Sequence, residues 1–255
     1  MEIFKDANKD KGTPILLPDT KRIWIACFVL GTVFWVLGLF LWAQRGIDEA
    51  VLFYYNPMRI AMDPIVILSK WLSSYGMAAI TILFVVYLLI SKKLKSFDAP
   101  LTVYFYTILS FALSGIAGDL LKEVFARPRP VTTYGSEILA LSQAATSSIP
   151  SGHATKSIAL VLPFIFLVSH SKNLHKGIKI AIGLIAVGVC FSRIVLGAHY
   201  VSDVLAGIGM ALIGLPLSMM FANMLLRRMK QEQLPKLSYI WGLILIFLTW
   251  VFMTL

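Results

Sequence analysis

The chain has 255 residues, of which 58% are hydrophobic and only 14% charged, with a mean hydropathy of +0.80. That is more apolar surface than a soluble domain of this length buries, so the composition excludes a soluble globular protein and indicates a polytopic membrane protein. The formal charge of +10 does not point to nucleic acid, because the Lys and Arg residues are scattered over short loops between apolar runs instead of forming one basic face.

Continuous apolar runs of membrane-spanning length fall at about residues 23–43, 75–91, 101–122, 153–170, 177–196, 200–226 and 238–254. The first follows a charged tail and is too long for a signal-peptide core, so it is expected to remain as an anchor. Residues 46–74 mix Asp48, Glu49, Arg59, Asp63 and Lys70 with Phe53, Tyr54, Tyr55 and Trp71 and are broken by Pro57 and Pro64. This pattern predicts helices lying in the membrane interface. Cys27 and Cys190 sit inside apolar runs, where a thiol acts as a small hydrophobe, and no disulfide or metal-binding cysteine spacing is present. With no internal repeat or separate soluble segment, residues 1–255 read as a single all-α membrane domain.

Basic residues set the expected orientation. Lys5, Lys9, Lys11, Lys21 and Arg22, then Lys92, Lys93 and Lys95, then Lys172, Lys176 and Lys179, then Arg227, Arg228, Lys230 and Lys236 all flank spans on one side, which should be cytoplasmic. The opposite side carries three polar islands within residues 122–203.

The first island runs from Lys122 to Pro130. Proline disfavours helix at the residue before it, so Arg127-Pro128-Arg129-Pro130 should leave the preceding helix as an extended strap carrying two guanidinium groups beside Lys122. Such a group suits an anion, although snorkelling at an interface also explains it, and Asp119 and Glu123 stand close enough in sequence to pair with these cations. The second island is Pro150-Ser151-Gly152-His153. Ser151 reads as an N-cap with Lys156 one turn further on, and glycine would let a phosphate approach the positive helix terminus; capping alone accounts for Ser and Gly as well. In the third island Arg193 ends one span, while His199 and Asp203 are four residues apart on one helical face at the start of the next. A carboxylate that holds one imidazole nitrogen fixes the tautomer and makes the other nitrogen nucleophilic, while the plain alternative is a paired His and Asp at a helix start. Each charged group costs about 2.5–3.5 kcal/mol at the membrane centre and less near its surface. Clustering so many at one level is best compensated by a multiply charged anion. His170 and His175, on the opposite side, read as solvated loop residues.

Lys122, six residues, Arg129-Pro130; Pro150-Ser151-Gly152-His153; and Ser192-Arg193, five residues, His199, three residues, Asp203 together resemble the three-part signature of the type 2 phosphatidic acid phosphatase superfamily. The resemblance implies a six-helix membrane core, to which the run 238–254 would be an addition. It also implies a metal-independent double displacement without a cofactor. His199 would attack phosphorus, Asp203 would orient it and His153 would protonate the leaving oxygen. Lys122, Arg129, Ser151, Gly152 and Arg193 would bind the phosphoryl group, with Ser192 supporting the loop. Outside the signature, Arg127, Lys156 and Tyr134 are expected at the headgroup, and the segment 131–149, with Thr132, Thr133, Tyr134, Glu137, Ser142, Gln143, Thr146, Ser147 and Ser148, is expected to select it. The expected partners are the bilayer and a phosphorylated membrane lipid, with no nucleic acid. Undecaprenyl pyrophosphate, phosphatidylglycerol phosphate, phosphatidic acid and lipid A phosphate are candidate substrates at the periplasmic face of a bacterial inner membrane. Phosphotransfer to a second lipid would use the same residues; a lipid or anion transporter would leave the His–Asp spacing without a task.

Overall fold

A computed structural model describes residues 21–56, 63–93, 102–139, 147–167 and 173–226, together with Ile240, Ile244 and Phe247. The regular elements among the described residues are all helical, in the order α1 (Lys21–Gln44), α2 (Gly46–Tyr55), α3 (Pro64–Lys93), α4 (Thr102–Phe125), α5 (Pro130–Tyr134), a 3-10 turn (Gly135–Glu137), α6 (Gly152–Leu167), α7 (Asn173–Val195) and α8 (Val201–Leu226). Helices over Arg22–Gln44, Pro64–Tyr87, Lys176–Val195 and Val201–Leu225 are long and apolar enough to cross a membrane. α4 ends in the polar residues Asp119, Lys122 and Glu123, and α6 is a shorter apolar helix.

Helix α8 is the hub. It packs on α1, α4 and α6, while α3 packs on α7, and α6 also touches α4 and α7. Small residues allow the closest crossings. A Cβ on Gly209 would stand 2.7 Å from the Gly31 carbonyl oxygen and from the Trp35 nitrogen, and one on Gly38 would stand 2.8 Å from the Ser202 carbonyl oxygen. Backbones can therefore meet along the α1–α8 seam, the usual device where lipid supplies no hydrophobic drive between helices. The opposite faces of these helices expose Phe28, Val33, Phe40, Leu68, Trp71, Leu184, Val187, Leu217 and Met220. Such an apolar belt belongs in hydrocarbon rather than water. The protein is an integral membrane protein with a helical core.

The succession α1, α3, α4, α6, α7, α8 traverses the bundle in alternating directions. All three polar islands and α2 therefore gather at one end, and the Lys/Arg-flanked termini at the other. The structure departs from the sequence reading between the first two spans. α2 is a separate short helix, but residues 64–74 form the first three turns of α3. Pro64 begins that helix without cost because the N–H that proline lacks would have no intrahelical acceptor at the first position, and Asp63 accepts the Ile65 N–H at 2.8 Å. The mixed polarity of 64–74 reflects two environments, with Val66 and Ser69 buried and Leu68 and Trp71 exposed. The run 238–254 lies outside the described residues except for Ile240, Ile244 and Phe247, of which Ile244 packs against the core.

Candidate active site

Four helix ends build the site. α7 closes at Val195 with Gly197 in the left-handed region at φ 65°, and the Ala198 and His199 N–H groups both turn back to the Arg193 carbonyl at 3.0 and 3.2 Å. Gly197 is required on two counts, since any Cβ would strain that φ and would stand 2.9 Å from Asn56 Nδ2. Asn56 itself is fully buried and donates to the Val195 carbonyl at 2.6 Å, which pins the turn that carries His199.

Asp203 lies in the first turn of α8. Its Oδ2 accepts the Tyr200 N–H at 2.9 Å, the reach-back of a capping box, and also the Ser148 hydroxyl. This directs the carboxylate toward His199, whose Nδ1 lies 3.4 Å from Oδ2. The other imidazole nitrogen, Nε2, faces Arg129 Nη1 at 3.3 Å. Arginine can only donate, so Nε2 presents its lone pair and Nδ1 carries the proton toward Asp203. His199 is 2% exposed. Burial pushes its pKa down from 6.5 to about 4; Arg129 and Arg193 act in the same direction and Asp203 against them. At neutral pH the ring is uncharged and nucleophilic.

The strap that carries Arg129 forms as its prolines dictate. α4 stops at Phe125, Ala126 turns at φ 45°, and Arg129 is extended with Pro130 opening α5. Arg129 is 5% exposed and also reaches the Ala198 carbonyl at 3.3 Å. Arg193 is buried and donates to the Ser73 hydroxyl of α3. His153 lies within electrostatic reach of Arg193, His199, Lys156 and Lys122. Lys122 and Lys156 share Asp119, at 2.9 and 3.1 Å. A Cβ on Gly152 would stand 3.2 Å from Lys122 Nζ, so the missing side chain brings this ammonium to the amino end of α6.

Ser151 occupies the capping position by its carbonyl, which accepts the Thr155 N–H at 2.9 Å. Its hydroxyl, however, is fully buried and has no hydrogen-bond partner among the described residues. The sequence pattern suggested a side-chain cap; the structure holds the helix start by backbone instead. Ser192 donates to the Val189 carbonyl at 2.7 Å within its own helix.

The three residues expected at a headgroup each have a protein carboxylate as partner. Arg127 is buried between carboxylates, 2.6 Å from Asp203 Oδ1 and 2.8 Å from Asp48 Oδ2. The Tyr134 hydroxyl donates to Glu49 at 2.9 Å, and Lys156 pairs with Asp119. On the far side of Arg127 is a cavity of about 220 Å³ lined by Trp42, Arg45, Glu49, Phe125, Tyr134 and Tyr200 among others. Residues 140–146, with Ser142, Gln143 and Thr146, lie outside the described residues, as do His170 and the His175 side chain. The sequence reading placed Asp48 in an interfacial segment and Ser148 among the headgroup selectors; in the structure Asp48 pairs with Arg127 and the Ser148 hydroxyl holds Asp203. Among the described residues no three His, Cys, Asp or Glu side chains are grouped to hold a metal ion.

Comparison with known proteins gives the family likeness. The family model of the PAP2 superfamily matches residues 103–227. Phosphatidylglycerophosphatase B of Bacillus subtilis (strain 168) is 38% identical over 42% of this chain and 51% of its own length. A lipid A 1-phosphatase of Rhizobium etli is 31% identical over 46% of this chain and 49% of its own. The chain thus spans about half the length of the curated relatives it matches. The crystal structure of a transmembrane PAP2-type phosphatidylglycerolphosphate phosphatase from Bacillus subtilis superposes with a TM-score of 0.52 at 25% identity, covering 78% of this chain and 94% of that one. The three signature islands, the helical membrane core and these likenesses agree in placing residues 103–227 as a PAP2-superfamily region of the chain.

Proposed function

We propose that this protein hydrolyses a phosphomonoester or pyrophosphate of a membrane lipid through a phosphohistidine on His199. The observation that carries the reading is the polarity of His199, with Nδ1 toward Asp203 and Nε2 toward Arg129. The lone pair of Nε2 attacks phosphorus while the bond to the lipid oxygen breaks, and His153 supplies the proton that oxygen needs. The ring becomes a cationic phosphoimidazole, and the Asp203 carboxylate stabilises its charge. In the second step His153 removes a proton from water, the hydroxide displaces Nε2 from phosphorus, and inorganic phosphate leaves. Lys122, Arg129 and Arg193, the Ser151 hydroxyl and the Gly152 amide hold the phosphoryl oxygens, positioned where negative charge grows in the transition state. These groups supply the positive charge that phosphoryl transfer requires, so the activity should persist in EDTA.

The excess of Lys and Arg at the end of the bundle opposite the site supports a cytoplasmic N-terminus and a site at the outer, periplasmic leaflet. The names of the relatives, phosphatidylglycerophosphatase B and lipid A 1-phosphatase, favour a lipid phosphomonoester. The test is phosphate release by purified protein in EDTA from undecaprenyl pyrophosphate, phosphatidylglycerol phosphate, phosphatidic acid and lipid A, with His199→Ala alongside. Acid quenching of wild-type turnover should trap labelled phosphoenzyme that the variant lacks. Equal trapping in His199→Ala would assign the nucleophile elsewhere.

A further inference from the structure

Outside the signature residues, the most elaborate polar arrangement in the molecule surrounds Arg127. Its side chain is 6% exposed. Nη1 donates to Asp203 Oδ1 and to Ser202 Oγ, each at 2.6 Å, and Nη2 donates to Asp48 Oδ2 at 2.8 Å. The guanidinium carbon lies 4.0 Å from the centre of the Tyr200 ring and 5.4 Å from that of Trp42. Asp48, 1% exposed on α2, also accepts the Ser202 N–H at 2.9 Å and the Ser202 hydroxyl. Two buried carboxylates from α2 and α8 thus share one planar cation from the strap after α4.

We propose that Arg127 is a positioning residue that, braced by Asp48, fixes Asp203 against His199, and that it does so whichever lipid carries the phosphate. This rests on the phosphohistidine reading above. With Oδ1 held by Arg127, Asp203 has Oδ2 left to face the imidazole, which is the geometry that neutralises the cationic ring during turnover. Without the guanidinium, Asp48 and Asp203 face each other across Ser202 with no cation between them. A proton then becomes the cheapest way to relieve their repulsion. A protonated Asp203 no longer stabilises the phosphoimidazole. The fork matters as well as the charge, since a lysine ammonium is a point donor and does not span two carboxylates as a guanidinium does.

Arg127→Ala tests this with three substrates of increasing headgroup size: short-chain phosphatidic acid, phosphatidylglycerol phosphate and lipid A. A positioning role predicts that kcat falls by a similar factor on all three, on the order of 10- to 100-fold as for groups that orient a reacting imidazole, with KM nearly constant. The acid limb of the kcat profile should move to higher pH. Millimolar guanidinium, entering through the adjoining cavity, should restore part of the activity, ammonium should not, and Arg127→Lys should recover less than guanidinium does. A rise in KM confined to the larger headgroups would make Arg127 a substrate contact and overturn the proposal. So would a uniform loss with neither guanidinium rescue nor a shift of the acid limb. If Arg127→Ala fails to fold, the isosteric Asp48→Asn takes its place: a uniform kcat loss at constant KM supports the brace, and wild-type kcat refutes it. Wild-type and His199→Ala controls separate the two readings, because activity that survives His199→Ala sinks the phosphohistidine mechanism irrespective of Arg127.

Discussion

Replacing Ser151 with alanine should lower activity without lowering stability, and the two effects can be sized from the structure. The Ser151 side chain is fully buried and its hydroxyl has no partner among the described residues. A buried unpaired hydroxyl costs the fold about 1–3 kcal/mol, so its removal should leave the thermal midpoint unchanged or raise it. The backbone is secured independently of the side chain, by the Ser151 N–H to the Asp203 carbonyl at 3.0 Å and by the Thr155 N–H and hydroxyl to the Ser151 carbonyl at 2.9 and 3.0 Å. If the hydroxyl donates to a phosphoryl oxygen, its loss removes a hydrogen bond to a charged group, worth about 1.5–3 kcal/mol. That corresponds to roughly a 10- to 150-fold drop in kcat/KM. Steady-state phosphate release, with thermal unfolding followed in the same detergent, measures both quantities. Vanadate, a phosphate mimic, should raise the melting temperature of wild type more than that of Ser151→Ala. A lower midpoint with kcat/KM within twofold of wild type would refute the reasoning and return Ser151 to a structural role.

His199 should remain neutral well below pH 6.5, which ring-nitrogen NMR of 15N-histidine protein can follow, using His199→Gln to assign its signal among the four histidines. Because burial lowers its pKa to about 4, the unfolded chain takes up this proton first as pH falls. The contribution of His199 to stability is therefore complete above about 6.5 and is lost between there and about 4; titration near 6.5 in the folded protein would contradict the burial. Asp203→Asn should reduce kcat by about 100- to 10,000-fold, the scale of acid–base assistance to a reacting imidazole. It should also lower stability toward the smaller end of the 3–5 kcal/mol typical of a broken buried pair, because Arg127 keeps Asp48; full kcat in this variant would remove Asp203 from the mechanism. Gly209→Ala should destabilise by about 1–3 kcal/mol through overpacking, since its Cβ meets backbone atoms of α1 at 2.7 Å that cannot swing aside. Thermal unfolding reads the loss, and KM should hold.

How much of this site was legible in sequence depends on whether a signal was local or distant. Pro128 and Pro130 shape the strap and the four-residue step from His199 to Asp203 sets one helical face, so Arg129, His199 and Asp203 could be read from their immediate neighbours, while the turn at Gly197 that ends α7 was not read. The helix start at Pro64 could not. The decisive fact there is which side chains meet α7, and the mixed composition of 64–74 mimics an interfacial segment. Ser151 shows the same limit, since capping sequences look alike whether the hydroxyl bonds to the backbone or faces a ligand.

The partners of Arg127 were hidden for a further reason. Asp48 lies 79 positions before Arg127 and 154 before Ser202, and no spacing rule links such residues. Crossing parity nevertheless narrows the search. α6 and α7 together return the chain to the side it left, so the second and third islands share a face, and Arg127 and Arg129, just past the end of α4, bond to Asp203 and the Ala198 carbonyl on that same face. One crossing by α1 delivers α2 and the start of α3 at Asp63 to that same face. Within these connections the acidic side chains are Asp48, Glu49, Asp63 and Glu137. The second carboxylate on the buried Arg127 guanidinium comes from this short set. The choice of Asp48 then follows from packing: it sits in the first turn of α2 with Leu52 buried one turn later on the same face, and that face docks against α8. Glu49, one residue on, is turned toward Tyr134 and the cavity.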